Sequence, residues 1–195
     1  WMAGDRDGNP FVTAKLSQQA LLNARLIAAK LYLVDFEKLY LELSMRKANE
    51  ALLEADIDNL GPYRAELQKV IKLLRRTIEQ LKDGKQDEIL NHSDQLRLPL
   101  IKCRESLLEV GLKNVANSMV LDMIRKVNSF GISLVKLDIR QHSERHDSAL
   151  AEITNALQMG DFESWDEKKR REFLISELKN PRPLLPAKKW SPDTQ

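Results

Sequence analysis

A chain of 195 residues with 31 Lys+Arg against 29 Asp+Glu is close to electrically neutral, which leaves no field strong enough to draw it to nucleic acid or an anionic membrane. Only seven Gly and 6% aromatic residues, beside abundant Leu, Ala, Glu and Lys, predict a mainly α protein. One cysteine, Cys103, excludes an intramolecular disulfide framework, and together with the lack of a signal peptide or an apolar run of roughly 18 residues it fits a cytoplasmic chain.

Trp1 stands where an initiating Met is expected, and residues 190–195 carry no terminating pattern, so the chain reads as a piece of a longer polypeptide. Residues 1–4 read as the tail of a strand, and Gly8, Asn9 and Pro10 mark a tight loop after it. Thr13 is placed to cap a helix over about residues 14–45, with Leu16, Ala20, Ala24, Ile27, Leu31, Val34 and Leu41 as an apolar stripe at helical spacing. A short helix is predicted over residues 49–55. Gly61-Pro62 then breaks the chain, with Pro62 in the first turn of a helix that runs to about Lys82 and stops at Gly84.

Residues 85–93 read as a polar surface loop. Further helices are predicted over residues 94–110, where Pro99 fits only near the start, and over residues 115–128. After a central strand, a helix capped by Ser143 spans residues 144–158. A last helix opens with the capping box Ser164-x-x-Glu167, and the proline-rich tail from Asn180 reads as extended.

The strand is the segment around Leu134 to Ile139. An apolar run, 132–135, gives way to alternation, with Leu137 and Ile139 on one side and Lys136, Asp138 and Arg140 on the other. Arg140 therefore sits at the carboxyl end of a strand just before a helix, the rim where ligands collect in open α/β sheets and (β/α)8 barrels. Its planar fork suits phosphate or carboxylate recognition; an ion pair with Asp138 or a surface carboxylate is the structural alternative. Two strands alone make a marginal sheet, so they pair with strands outside this chain or the helices form the real core.

Other motifs weigh less. Asp5 to Asn9 resembles the opening of a calcium loop but has Pro10 and Leu16 where Gly and Glu are required, and an Asp–Arg network pinning the loop is the plainer reading. His142 and His146 lie four apart, as two metal ligands on a helix can, without the Glu spacing of a metalloprotease helix or an evident third ligand. Cys103 lies within an amphipathic helix and reads as packing. Lys168 to Arg171, flanked by Glu167 and Glu172, reads as a solvated helix face.

Two motifs taken together are more specific. Residues 1–13, WMAGDRDGNPFVT, resemble the W-M-G-G-D-R-D-G-N-P-x-V-T signature of the phosphoenolpyruvate carboxylase family. Residues 130–146 resemble that family's F-G-x-x-L-V-x-L-D-I-R-Q-x-S-x-R-H. Residues 42–45, 164–165, 176–178 and 182–184 match in the right order, so the similarity covers essentially the whole chain. Ala3 replaces the usual Gly, and His142 a frequent Glu.

The resemblance implies a segment, residues 1–195, of a longer lyase, carrying two strands of a (β/α)8 barrel with residues 14–128 as a helical insertion between them. It implies carboxylation of phosphoenolpyruvate with bicarbonate to oxaloacetate and phosphate, Mg²⁺ or Mn²⁺ in the full enzyme, and a homotetramer. Arg140 matches the catalytic arginine that grips the phosphoryl group, Trp1 the wall of the substrate pocket, and Arg6 a supporting position. The family's histidine motif, glycine-rich arginine loop and metal-binding carboxylates lie outside this stretch, so the chain alone is expected to bind no metal and to be inactive. The competing expectation is a self-contained, non-catalytic helical interaction module.

Overall fold

The computed structural model describes residues 3–7, 9, 11–85, 89–134, 136–181, 184, 190, 191 and 194. The described residues are mainly helical: α1 (Ala14–Glu42), α2 (Glu50–Glu54), α3 (Pro62–Lys82), α4 (Asp94–Glu109), α5 (Lys113–Val115), a π-helical turn (Ala116–Val120), α6 (Leu121–Phe130), α7 (Ser143–Ala156), a 3₁₀ turn (Phe162–Ser164) and α8 (Glu167–Lys179). No helix among them is long and apolar enough to cross a membrane. The chain divides into two compact units, Gln18–Lys136 and Trp1–Ser17 with Leu137–Gln195.

The larger unit is a helical assembly around one apolar core. Helix α1 contributes Ala28, Ala29, Tyr32, Phe36 and Leu39 to it, Leu43 follows just past its end, α3 contributes Tyr63, Leu67 and Leu74, and α4 contributes Leu96, Leu100, Cys103 and Leu107. The α1 stripe legible in the sequence is a different face: Ile27, Leu31, Val34 and Leu41 are each more than half exposed. Both sides of α1 are apolar, so periodicity alone could not rank them. Tyr63, fully buried, bonds Ser106 Oγ at 3.1 Å and donates to the Lys47 carbonyl. Ser106 also accepts the Asn49 N–H at 2.8 Å, just where the Asn49 side chain caps α2. Glu66, 5% exposed, is paired with Lys69 at 2.7 Å and Lys102 at 3.4 Å. Burial works against its charge, but the hydrogen bonds and charges of the two lysines outweigh that and hold its carboxyl below the usual range.

Pro99 sits inside α4 as its sixth residue, just past the first-turn N–H groups that lack helical partners, so one backbone hydrogen bond is lost there. The single helix expected over residues 115–128 is broken, because Ser118 (φ −102°, ψ −107°) leaves the helical region within the π turn. Gly131, at φ 56°, ends α6, and Leu134 follows at φ 65°. A left-handed residue cannot open a strand. The strand expected from Leu134 therefore does not open there.

In the smaller unit the 3₁₀ turn and α8 pack through Phe162, Trp165 and Phe173, whose ring centroids lie 5.2–6.1 Å apart, and α7 packs against the turn, Thr154 Oγ1 accepting the Phe162 N–H at 3.3 Å. The caps differ from expectation. His142, not Ser143, precedes α7, and Asp166 accepts the Lys169 N–H at the start of α8 in place of the Ser164 box. The basic run is not merely solvated: Arg170 donates to the Phe162 and Glu163 carbonyls and pairs with Asp147 at 3.1 Å.

Candidate functional site

Two segments of the smaller unit, around Asp5 and around Arg140, meet at one point. Arg140 donates its N–H to the Gly4 carbonyl at 2.9 Å, and Arg6 donates its N–H to the Arg140 carbonyl at 2.8 Å. This is a parallel bridge between Asp5 and Arg140. Among the described residues it is a bridge and not a ladder, so the two expected strands are reduced to a single pairing; an isolated pair of strands leaves its outer groups to water and gains little from lengthening. The approach requires glycine, since a Cβ on Gly4 would lie 2.0 Å from the Asp138 carbonyl oxygen.

Side chains reinforce the pairing. The Arg140 guanidinium, 54% exposed, stands 3.6 Å from the Asp5 carboxylate, whose other oxygen accepts the Asp7 N–H at 3.2 Å. Arg6 turns to α1, donating to Ser17 Oγ at 3.2 Å, and Ser17 donates in turn to the Ala3 carbonyl at 2.6 Å. Ser17 is 3% exposed, and Arg6 Nε is buried without a hydrogen-bond partner among the described residues. Thr13 Oγ1 accepts the Leu16 N–H and so caps α1, fixing the loop's exit.

The loop thus holds Arg6 and Arg140 on neighbouring backbone positions while their guanidinium groups face different partners. Trp1 lies outside the described residues. Of the two partners the sequence suggested for Arg140, Asp138 or a surface carboxylate, the structure supplies the second in Asp5, a residue distant in the chain that only the bridge brings close. His142 is 3.8 Å from Glu144 and exposed, and among the described residues no three His, Cys, Asp or Glu side chains gather as a metal site would need. Sequence reasoning missed Ser17, whose only signal was its place one turn after Thr13.

The family model for phosphoenolpyruvate carboxylase matches residues 1–195. The chain belongs to the phosphoenolpyruvate carboxylase family. It is 45% identical over 202 aligned residues to the phosphoenolpyruvate carboxylase of Psychromonas ingrahamii, covering 100% of this chain and 23% of that protein. The enzyme of Tolumonas auensis is 44% identical with the same coverage. That of Pseudomonas aeruginosa is 45% identical, covering 96% of this chain and 22% of its own length. The chain thus spans less than a quarter of the carboxylases it matches. A helical module with no catalytic ancestry does not stand against a family match over every residue. Against the family signature, Ala3 keeps its carbonyl engaged by Ser17 while adding a methyl group that Gly lacks.

Proposed function

We propose that this segment serves a phosphoenolpyruvate carboxylase that joins phosphoenolpyruvate and bicarbonate to give oxaloacetate and phosphate, and that Arg140 grips the phosphoryl group. The observation that carries this reading is the Asp5–Arg140 bridge, which anchors the arginine's backbone just before α7 while its side chain stays more than half exposed. At 3.6 Å the Asp5 contact is a charge pair rather than a tight two-point fork. A phosphoryl group offers three acceptor oxygens and competes well with the Asp5 carboxylate for that guanidinium.

In this reading the bridged segments belong to two strands of a (β/α)8 barrel, and residues 14–128 form a helical insertion between them. Arg6, anchored to Ser17, adds positive potential beside the phosphate, and Trp1 walls the methylene side of the substrate. Mg²⁺ or Mn²⁺, when bound, stabilises the enolate charge that develops as the phosphoryl group leaves. In this reading the ligands of that ion, like the rest of the active site, belong to the remainder of a family-length polypeptide. That polypeptide assembles as a homotetramer.

The test is oxaloacetate formation from phosphoenolpyruvate, bicarbonate and Mg²⁺ by the family-length polypeptide and by the 195-residue chain. Turnover is expected only in the former, and Arg140→Gln there should lower kcat/KM by about 100-fold or more. Full activity of that variant would overturn the role of Arg140. Turnover by the short chain would overturn its dependence on the remainder.

A further inference from the structure

Helix α1 carries a second apolar face that nothing in its own unit uses. Ile27, Leu31, Val34 and Leu41 are 51%, 54%, 58% and 69% exposed, and their spacing follows the alternating four-and-three steps of a helix seam. Lys38 occupies the step between Val34 and Leu41; it is exposed and has no ion pair among the described residues. The opposite face, through Tyr32, Phe36 and Leu39, is already in the core. A helix apolar on both sides is a buried helix, and a contiguous exposed apolar patch marks an interface.

We infer that this stripe is a docking seam for another helix of the same family-length polypeptide, one with an apolar face and a carboxylate placed opposite Lys38. Two observations select that occupant. The match to the Psychromonas ingrahamii enzyme takes in all of this chain but only 23% of that protein, so more than three quarters of a family-length polypeptide is available to cover the face. The lone lysine in the seam demands an acidic counterpart; a second copy aligned in parallel would instead set Lys38 against Lys38, a like-charge contact that costs stability. The inference rests on the reading that the segment works within such a polypeptide.

The experiment places Cys at position 31 by Leu31→Cys and follows N-ethylmaleimide labelling in the 195-residue chain and in the family-length polypeptide, each against its unsubstituted form. Cys103 is buried and gives little background in the short chain. Rapid labelling in the short chain and about 100-fold slower labelling in the long polypeptide is the expected result. Equally rapid labelling in both overturns the inference. Protection that already appears in the short chain and rises with its concentration also overturns it, in favour of a second copy. As a second arm, Lys38→Glu should lower the thermal midpoint of the long polypeptide and leave that of the short chain unchanged; an unchanged midpoint in both removes the acidic partner. Carboxylase activity of the unsubstituted polypeptide, assayed separately, reports on the active-site reading without touching either result.

Discussion

Asp5 and Arg140 are joined twice, by a parallel backbone bridge and by facing charges 3.6 Å apart. The backbone part fixes where the arginine begins, and the carboxylate restrains where its charge ends. Neither depends on a sheet. Pairing of this kind, made of two backbone hydrogen bonds, survives only if the chains can approach closely, and Gly4 is what permits it.

Gly4→Ala should therefore break the pairing. The added methyl group meets the Asp138 carbonyl at 2.0 Å, which forces the backbones apart at a cost of about 1–3 kcal/mol. Amide hydrogen exchange checks it: the Arg6 and Arg140 N–H groups are expected to be protected in the parent and to exchange like the neighbouring Ile139 in the variant. Unchanged protection would show that the bridge does not need this approach.

Glu66 gives the larger unit a pH-dependent contribution. Its folded pKa lies below the unfolded value, so its stabilisation is complete above the ordinary carboxylate range and is lost as pH falls through the folded pKa. Glu66→Gln should cost about 1–2 kcal/mol at pH 7, toward the low end because both lysines are largely exposed. Urea unfolding at pH 7 and at pH 3 checks the sign: the gap between parent and variant should narrow at the acid end. A gap that stays constant would mean the lysines do not hold the charge.

Tyr63 and Ser106 should prove coupled. Tyr63→Phe and Ser106→Ala each remove buried hydrogen bonds, the second stranding the Asn49 N–H as well, so each is expected to cost about 1–2 kcal/mol. Because both act on one network, the double variant should lose less than the sum, by about 0.5 kcal/mol or more. Equilibrium denaturation of the four proteins measures this, and strict additivity would separate the two groups.

Cys103 should be chemically silent in the folded chain. Burial, and to a smaller degree the Glu66 charge, push its thiol up to about 12, so almost no thiolate exists at neutral pH. An aromatic disulfide reagent is expected to find no thiol in native buffer and one per chain in denaturant. Rapid native labelling would mean that α4 opens readily.

Much of the helical order was legible from local chemistry. Thr13, Pro62 and Gly84 act within a few residues of themselves, and the helices they bound begin or end where those residues stand. Arg140 and the signature loop were also singled out by the residues themselves. The bridge partner was not legible: Asp5 is 135 positions away in the chain, and a propensity for extended backbone does not say what it pairs with. Caps failed where competing polar residues stood side by side, as Asp166 beside Ser164. The π turn at Ser118 has no composition that announces it.

The sequence by itself determined a mainly helical chain, its breaks, and its family, because capping, glycine and proline effects and a long run of shared residues are properties of the chain alone. Only the tertiary structure decided which side of α1 is buried, that Arg170 is a tether, and that Arg140 answers to Asp5. Those outcomes depend on which surfaces meet in space, and a periodic apolar pattern or a lone charge is compatible with several such meetings until packing selects one.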